Sequence, residues 1–226
     1  MSAGHEPEPA AFSLRVREAL VAPEGSPLST LFTAPLVTAL VVDLAEARAD
    51  ERVRLALLEV SAALERVGVP RGRQFVLVGG TVHAAAPGVK EWLAGLSRQL
   101  ALTVFPHDPK QWFTAGRTPA GEPIELDDEL REAEAILCIG RGEAAPGRVH
   151  GGPFLLVPGV ASLATVQAWA ARRAEAGERG ALALALAAEE QAPVDLAISW
   201  DARGDHVRAG RGRTQFAALA REAGFA

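Results

Sequence analysis

Apolar runs of strand length alternate along this chain with segments of helical periodicity. Strands buried on both faces of a parallel sheet are continuously apolar, and several runs have this character. The amphipathic segments between them, in which apolar positions recur every three or four residues, indicate helices. The predicted buried strands are residues 38–44 (TALVVDL), 74–80 (QFVLVGG), 102–108 (LTVFPHD), 135–140 (AILCIG) and 154–159 (FLLVPG).

The helices are predicted between these strands. Leu55, Leu58 and Ala62 give residues 50–67 an apolar stripe, with Gly68 as C-cap. The other predicted helices are residues 87–101, 162–177 with Ser162 as N-cap, and 214–224, while residues 121–133 suggest a short strand and then a helix.

The two ends of the chain have different patterns. Residues 1–11 are acidic and Pro-rich, and we expect a flexible leader there. Residues 12–20 (FSLRVREAL) alternate apolar and polar positions, which predicts an edge strand. Residues 194–201 and 206–211, joined by an ARGD turn, predict an antiparallel strand pair.

Strands that alternate with helices predict an α/β fold. We expect three layers: a mostly parallel, Rossmann-like sheet, helices on both of its faces, and the antiparallel pair at its C-terminal edge. No internal linker is long enough to divide residues 12–226, so these residues are predicted to form one domain.

Composition excludes several classes of protein. Hydrophobic residues make up 49% of the 226 residues and the net charge is -5, so neither a disordered chain nor a basic nucleic-acid-binding groove is indicated. The single cysteine, Cys138, lies in an apolar run and is predicted to be a buried small hydrophobe. No signal peptide is recognisable and no run approaches the roughly 18 apolar residues of a membrane span, so we expect a cytoplasmic protein without membrane contact.

Polar residues collect where the predicted strands end. In open α/β sheets, ligands bind beyond the carboxyl ends of the strands. Asp43 is expected to face such a site or to cap a helix, and His83 to act as a base or to be an ordinary loop histidine. His107 with Asp108 is either an oriented imidazole or turn chemistry.

Local motifs do not define a reaction. VGGTVH lacks the spacing of a dinucleotide fingerprint, and neither a P-loop nor a HExxH motif occurs, so no metal site is predicted. We predict Asp43 and His83 as candidate catalytic residues. The candidate ligand-binding residues, which flank the same edge, are Glu46, His150, Gly151 and Gly152.

The order of the segments resembles the N-terminal domain of the nickel-pincer lactate racemases, a group of 2-hydroxy-acid racemases and epimerases. The resemblance covers most of the chain. ALVVDLAEA resembles the family strand that ends in Asp-x-x-Arg, and QFVLVGGTVH the strand with its Gly-x-His-Arg turn. GGPFLLVPGVASLATVQAW resembles the Gly-Gly-x-Lys strand and the helix after it, and ISWDARGDHVRAGRG the closing hairpin.

The resemblance also implies a chemistry. In that family a lysine tethers a pyridinium mononucleotide that carries nickel, a histidine also ligates the metal, and two further histidines exchange protons. By position, Asp43 matches the family aspartate and His83 the first proton-relay histidine. The other family residues are replaced in this sequence. Glu46 stands in place of the arginine of Asp-x-x-Arg, and Ala84 in place of the arginine that follows the first histidine. The second proton-relay histidine falls at Ala144 or Ala145, the tethering lysine at Phe154, and the metal-ligating histidine near Ala170.

These replacements remove the family's chemistry. Phenylalanine cannot tether the cofactor, alanine cannot ligate nickel, and Glu46 is expected to repel an anion. We therefore expect no cofactor and no lactate racemase activity.

Three hypotheses follow. The first is a degenerate racemase-like domain that binds a small anionic metabolite or a partner, either a racemase-family chain or a second copy. The second is an enzyme that uses Asp43 and His83, with His107 or His150, as acid and base. The third is a racemase subunit whose missing ligands come from another chain.

Overall fold

The computed structural model describes residues 8–80 and 88–225 as a sheet between two layers. The parallel strands are β1 (Thr38–Asp43), β2 (Gln74–Gly79), β3 (Thr103–Pro106), β6 (Ala135–Ala145) and β8 (Leu196–Trp200). The antiparallel strands are β4 (Trp112–Arg117), β5 (Pro123–Asp127), β7 (Arg148–Gly151) and β9 (Val207–Gly210). The helices are α1 (Pro9–Val21), α2 (Leu28–Leu31), α3 (Leu44–Ala49), α4 (Glu51–Arg66), α5 (Val89–Leu100), α6 (Leu163–Gln191) and α7 (Gly212–Glu222).

The main sheet has the order β3-β2-β1-β6-β8-β9, and β7 adds to the extended end of β6. The pairs among β3, β2, β1, β6 and β8 are parallel, whereas β9 is antiparallel to β8. The predicted α/β fold class, with its mostly parallel sheet and closing antiparallel pair, is confirmed. The central strand is β1, which places the carboxyl end of β1 between those of β2 and β6.

Alternate residues of the buried strands face different layers. Leu40 and Val42 of β1 belong to a core shared with α1, α4 and α5. Ala39 and Val41 belong to a second core, shared with the β4–β5 hairpin, α6 and Phe216 of α7. This double burial is the physical reason for the continuous apolar runs, and it confirms the three layers.

Residues 12–20 form part of a helix, so the predicted edge strand is wrong. Phe12, Val16 and Leu20 are buried on one side of α1, whereas Leu14 is 52% exposed. The spacing of four residues between the buried positions also satisfies an alternating pattern, which explains the error. The helix begins at Pro9, so residues 9–11 of the expected leader are helical.

The predicted strand at residues 154–159 is also absent. Residues Gly152–Leu155 form a short 3-10 helix, and a turn follows. Leu156, Val157 and Val160 are nevertheless fully buried, in the second core. An apolar run of this length indicates burial but does not by itself indicate extended backbone.

The helices differ from their predicted extents in detail. The buried stripe of α4 consists of Val53, Leu57, Val60 and Leu64, and Leu55 and Leu58 flank it. Helix α6 extends to Gln191 and contains a break at Ala176 and Gly177, where Gly177 has φ 63°. Ser162 caps α6 as predicted, since its Oγ accepts the Thr165 N–H at 3.2 Å. Among residues 8–80 and 88–225 there is no helix long and apolar enough to cross a membrane.

Candidate functional site

Two cavities border the carboxyl ends of the central strands. The first, of about 860 Å³, is named the acidic groove, and its charged lining includes Glu46, Asp50, Glu51, Arg141 and Glu143. The second, of about 470 Å³, is named the aromatic cavity, and its lining includes Asp43, Glu46, Arg148, Phe154 and Trp169. Glu46, His150 and Gly151 line both cavities and therefore separate them.

Asp43 ends β1, and the structure confirms that it caps a helix. Its Oδ1 accepts the Glu46 N–H at 2.9 Å, which caps helix α3. The residue also lines the aromatic cavity. Gly80 follows β2 with φ 94°, and a Cβ atom there would lie 3.4 Å from Asp43 Oδ2. The carboxylate of Asp43 is thus held at the cavity wall, and its catalytic role stays a prediction.

Glu46 bridges the first turn of α3 to strand β6. Its Oε1 accepts the backbone N–H of Arg141 at 2.5 Å, and a Cβ at Gly140 would lie 3.0 Å from its Oε2. The pKa of Glu46 is raised to about 7, chiefly by burial. The hydrogen bond from the Arg141 N–H lowers this pKa, whereas the negative charges of Asp43 and Asp50 raise it further. At neutral pH this carboxyl is partly protonated, so the expected repulsion of anions is weaker than a permanent charge would cause.

Gly151 and Gly152 have conformations that L side chains rarely adopt. A Cβ at Gly151, with φ 62°, would lie 1.5 Å from the carbonyl oxygen of Arg141. A Cβ at Gly152 would lie 2.9 Å from Leu219, because Gly152 packs against α7. Gly151 lines both cavities, whereas Gly152 is buried and lines neither of them. The structure explains both glycines by close packing, and their ligand-binding role stays a prediction.

His150 lies on β7 opposite Glu143 of β6, and it is exposed. Its imidazole borders both cavities and is the described histidine best placed to meet a ligand. His83 lies outside the described residues.

His107 forms a buried pair, but with a residue other than Asp108. Its Nδ1 bonds to Oδ2 of Asp127, and its Nε2 lies 3.0 Å from the carbonyl oxygen of Ala161. Both ring nitrogens thus have a hydrogen-bond partner inside the protein. Asp108 contributes its backbone N–H to Asp127 at 3.2 Å. His107 lines neither cavity, so the structure assigns it to holding β3, β5 and the segment before α6 together.

Phe154 lies in the aromatic cavity, at the place of the lysine expected from the family resemblance. Its ring meets Trp169 of α6 edge to face, with 6.0 Å between the centroids. The guanidinium of Arg173 lies 5.2 Å from the Trp169 ring centroid. Trp169 and Arg173 are four residues apart on α6 and so share a helix face, which is the sequence signal that could have linked them.

The lining does not fit a tethered nickel cofactor. The sequence contains two lysines, Lys90 and Lys110, and neither lines the aromatic cavity. Within the described ranges no group of three His, Cys, Asp or Glu residues is placed to hold a metal ion. Cys138 is buried in β6, and burial raises the pKa of its thiol far above the ordinary range.

Comparison with known proteins connects this architecture to several solved structures. The lactate racemase apoprotein from Thermoanaerobacterium thermosaccharolyticum superposes on 93% of the chain with a TM-score of 0.70. The chain has a lactate-racemase-like fold. Sequence identity with that structure is 17%. The present chain spans 54% of the length of the racemase chain. Neither a protein-family model nor a curated protein matches the sequence.

The likeness confirms the resemblance that the sequence suggested, at the level of the fold. At 17% identity it shows a shared fold, and a fold does not by itself carry a set of binding or reacting residues. Arg148 and Arg173, which line the aromatic cavity, were missed by sequence reasoning. Arg148 lies on a short strand that the sequence did not predict.

Proposed function

We propose that this lactate-racemase-like domain binds a small anionic metabolite in the aromatic cavity and does not perform nickel-pincer catalysis. The observation that supports the proposal is Phe154, an unreactive side chain that packs on Trp169 in the cavity. A covalent tether needs a nucleophile at that place, and the edge-to-face pair occupies it instead.

The charges of the cavity support an anionic ligand. Arg148 and Arg173 line the cavity from β7 and α6. Glu46 and Asp43 also line it, but both carboxyls accept backbone N–H groups. Cavities of this size are typical of small-molecule sites that combine an apolar lining with a few polar groups.

The absence of nickel catalysis is tested by co-expression with the maturation proteins of a complete lactate racemase. We expect the purified chain to contain no stoichiometric nickel by mass spectrometry, to lack the cofactor's absorbance, and not to interconvert D- and L-lactate. A complete racemase expressed in the same cells is the positive control. One nickel per chain, with racemisation, would overturn this part of the proposal.

Ligand binding is tested by calorimetric titration with a panel of small carboxylates. We expect at least one to bind, and Arg148→Gln to weaken that binding about fivefold or more, since a charge-assisted hydrogen bond is lost. Arg98→Gln is the matched control, because Arg98 is an exposed arginine of α5 that does not line the cavity. Equal weakening by both substitutions would contradict the assignment of the cavity.

A second candidate function is acid–base catalysis, and the titration of Glu46 favours it. A carboxyl whose pKa is about 7 can both donate and accept a proton at neutral pH. Under this hypothesis, Glu46→Gln abolishes an activity found by screening metabolites, and Asp43→Asn or His83→Ala reduces it. An activity that Glu46→Gln leaves unchanged would exclude Glu46 as its acid or base.

We also propose that the chain associates with a racemase-family chain or with a second copy of itself. The lactate-racemase-like chain spans 54% of the length of the racemase structure, and we propose that a second chain contributes to the site at the two cavities. Light scattering of the purified chain, alone and mixed with a complete racemase, measures both associations. A monomer in both samples would contradict them.

A further inference from the structure

The aromatic cavity has an apolar wall on its α6 side. Phe154 and Trp169 form that wall, and Leu155 and Val166 extend it. The ring of Trp169 is partly exposed, so a face of the indole is available to a bound molecule. Aromatic pairs gain stability from offset or edge-to-face contact beyond the apolar area that they bury.

The indole N–H of Trp169 is a donor without an acceptor among the described residues. A buried donor in this state is unfavourable, because it has given up its bond to water without gaining another. Arg173 covers one side of the indole and also pairs with Glu178 at 3.3 Å. A ligand ring over the part of the indole that Arg173 leaves uncovered would add an aromatic contact and bring an acceptor close to this donor.

The cavity's carboxylates are engaged, whereas one of its cations is not. Asp43 caps α3, Glu46 bonds to the Arg141 N–H, and Glu178 pairs with Arg173 at 3.3 Å. Arg148, in contrast, has no ion pair or side-chain hydrogen bond within residues 8–80 and 88–225, and it is exposed on β7. Arg148 is therefore the charged side chain of this lining that is free to pair with an anionic ligand.

We infer that the ligand of the aromatic cavity is a monocyclic aromatic or heteroaromatic carboxylate. Its ring packs on Trp169 and Phe154, its carboxylate pairs with Arg148, and an acceptor on the ring or its substituent takes the Trp169 N–H. This inference rests on the proposed function and specifies the ligand class for the same site. An aliphatic hydroxy acid offers the anion but leaves the indole face and its N–H unused.

The experiment compares three probes by ligand-observed NMR titration of the full chain: benzoate, cyclohexanecarboxylate and benzyl alcohol. Benzoate and cyclohexanecarboxylate have the same charge and nearly the same size, so the ratio of their dissociation constants isolates the aromatic contribution. We expect benzoate to bind about fivefold more tightly than cyclohexanecarboxylate, and benzyl alcohol to bind more weakly than either. Equal affinities for benzoate and cyclohexanecarboxylate would overturn the inference.

Two variants locate the effect. Trp169→Leu keeps an apolar side chain but removes the ring and the N–H, and we expect it to abolish the preference for benzoate. Trp112→Leu is the matched control, since Trp112 lies on β4, is 43% exposed and does not line the cavity. A preference that survives Trp169→Leu, in a variant whose melting curve matches that of the unmodified chain, would also overturn the inference.

The two proposals fail differently. If neither carboxylate binds and Arg148→Gln changes nothing, the proposed function itself is wrong. If both carboxylates bind equally and both depend on Arg148, the anion site is retained and only the aromatic ligand class is wrong.

Discussion

The replacement Glu46→Gln should make the protein less sensitive to alkaline pH. Glu46 is half-buried between the two cavities, and burial, reinforced by Asp43 and Asp50, raises its pKa from 4.5 to about 7 despite the Arg141 N–H bond. A carboxyl whose pKa is higher in the folded than in the unfolded protein destabilises the fold when it ionises. That cost is absent below pH 4.5, grows as the pH rises, and is complete above pH 7.

The size of the effect follows from the two pKa values. A rise from 4.5 to about 7 corresponds to about 3 kcal/mol when the carboxyl is fully ionised. At pH 5 most of this cost has not yet developed, so the change between pH 5 and pH 8 is about 2–3 kcal/mol. Glutamine has nearly the same shape and retains an oxygen for the Arg141 N–H at 2.5 Å, but it does not ionise.

The assay is urea unfolding of both proteins at pH 5 and pH 8. We compare the free energy of unfolding of the Glu46→Gln variant with that of the unmodified chain. We expect this difference to favour the variant by about 2–3 kcal/mol more at pH 8 than at pH 5. Glu51→Gln is the control, since Glu51 is an exposed carboxylate in the wall of the acidic groove. A stability difference between Glu46→Gln and the unmodified chain that is the same at both pH values would refute the reasoning.

Three further predictions concern the residues that frame the site. Gly151→Ala places a Cβ 1.5 Å from a carbonyl oxygen, and it should lower the free energy of unfolding by about 4 kcal/mol or more, or prevent folding. Gly147 has φ 74° and open space around it, so Gly147→Ala should lower the free energy of unfolding by about 1 kcal/mol in the same urea assay. His107→Ala removes the imidazole from the buried side chain of Asp127, which keeps its backbone N–H donors Asp108 and Glu129, and should cost about 3–5 kcal/mol; a loss below about 1 kcal/mol would contradict the importance of that pairing. Cys138 should resist a thiol reagent in the folded protein and react only as the chain unfolds, so rapid labelling without unfolding would argue against its burial.

Much of the fold could be predicted because buried parallel strands leave a clear record. The strands at Thr38–Asp43 and Gln74–Gly79 must be apolar on both faces, and their sequences are. The cap at Ser162 was predictable for a similar local reason, since a hydroxyl at that position satisfies an orphan helix N–H. These features depend on a few neighbouring residues and on one general constraint each.

The errors arose where one pattern has two structural solutions. Phe12, Val16 and Leu20 satisfy a strand's alternation and also a helix's spacing, and packing on α4 decided for the helix. The run at residues 154–159 is apolar because it fills the second core, and the tight packing of Gly151 and Gly152 prevents a continuous strand there. Local sequence does not contain the contacts that choose between such solutions.

The candidate site divides in the same way. The sequence by itself determined that Asp43 and Glu46 follow a buried strand and that Phe154 stands where a lysine was expected. Only the tertiary structure decided that Glu46 reaches the backbone of β6, that Phe154 meets Trp169, and that Arg148 and Arg173 line the same cavity. The physical reason is that strand identity is set by burial over a few residues, whereas the charge and shape of a cavity are set by side chains from distant segments.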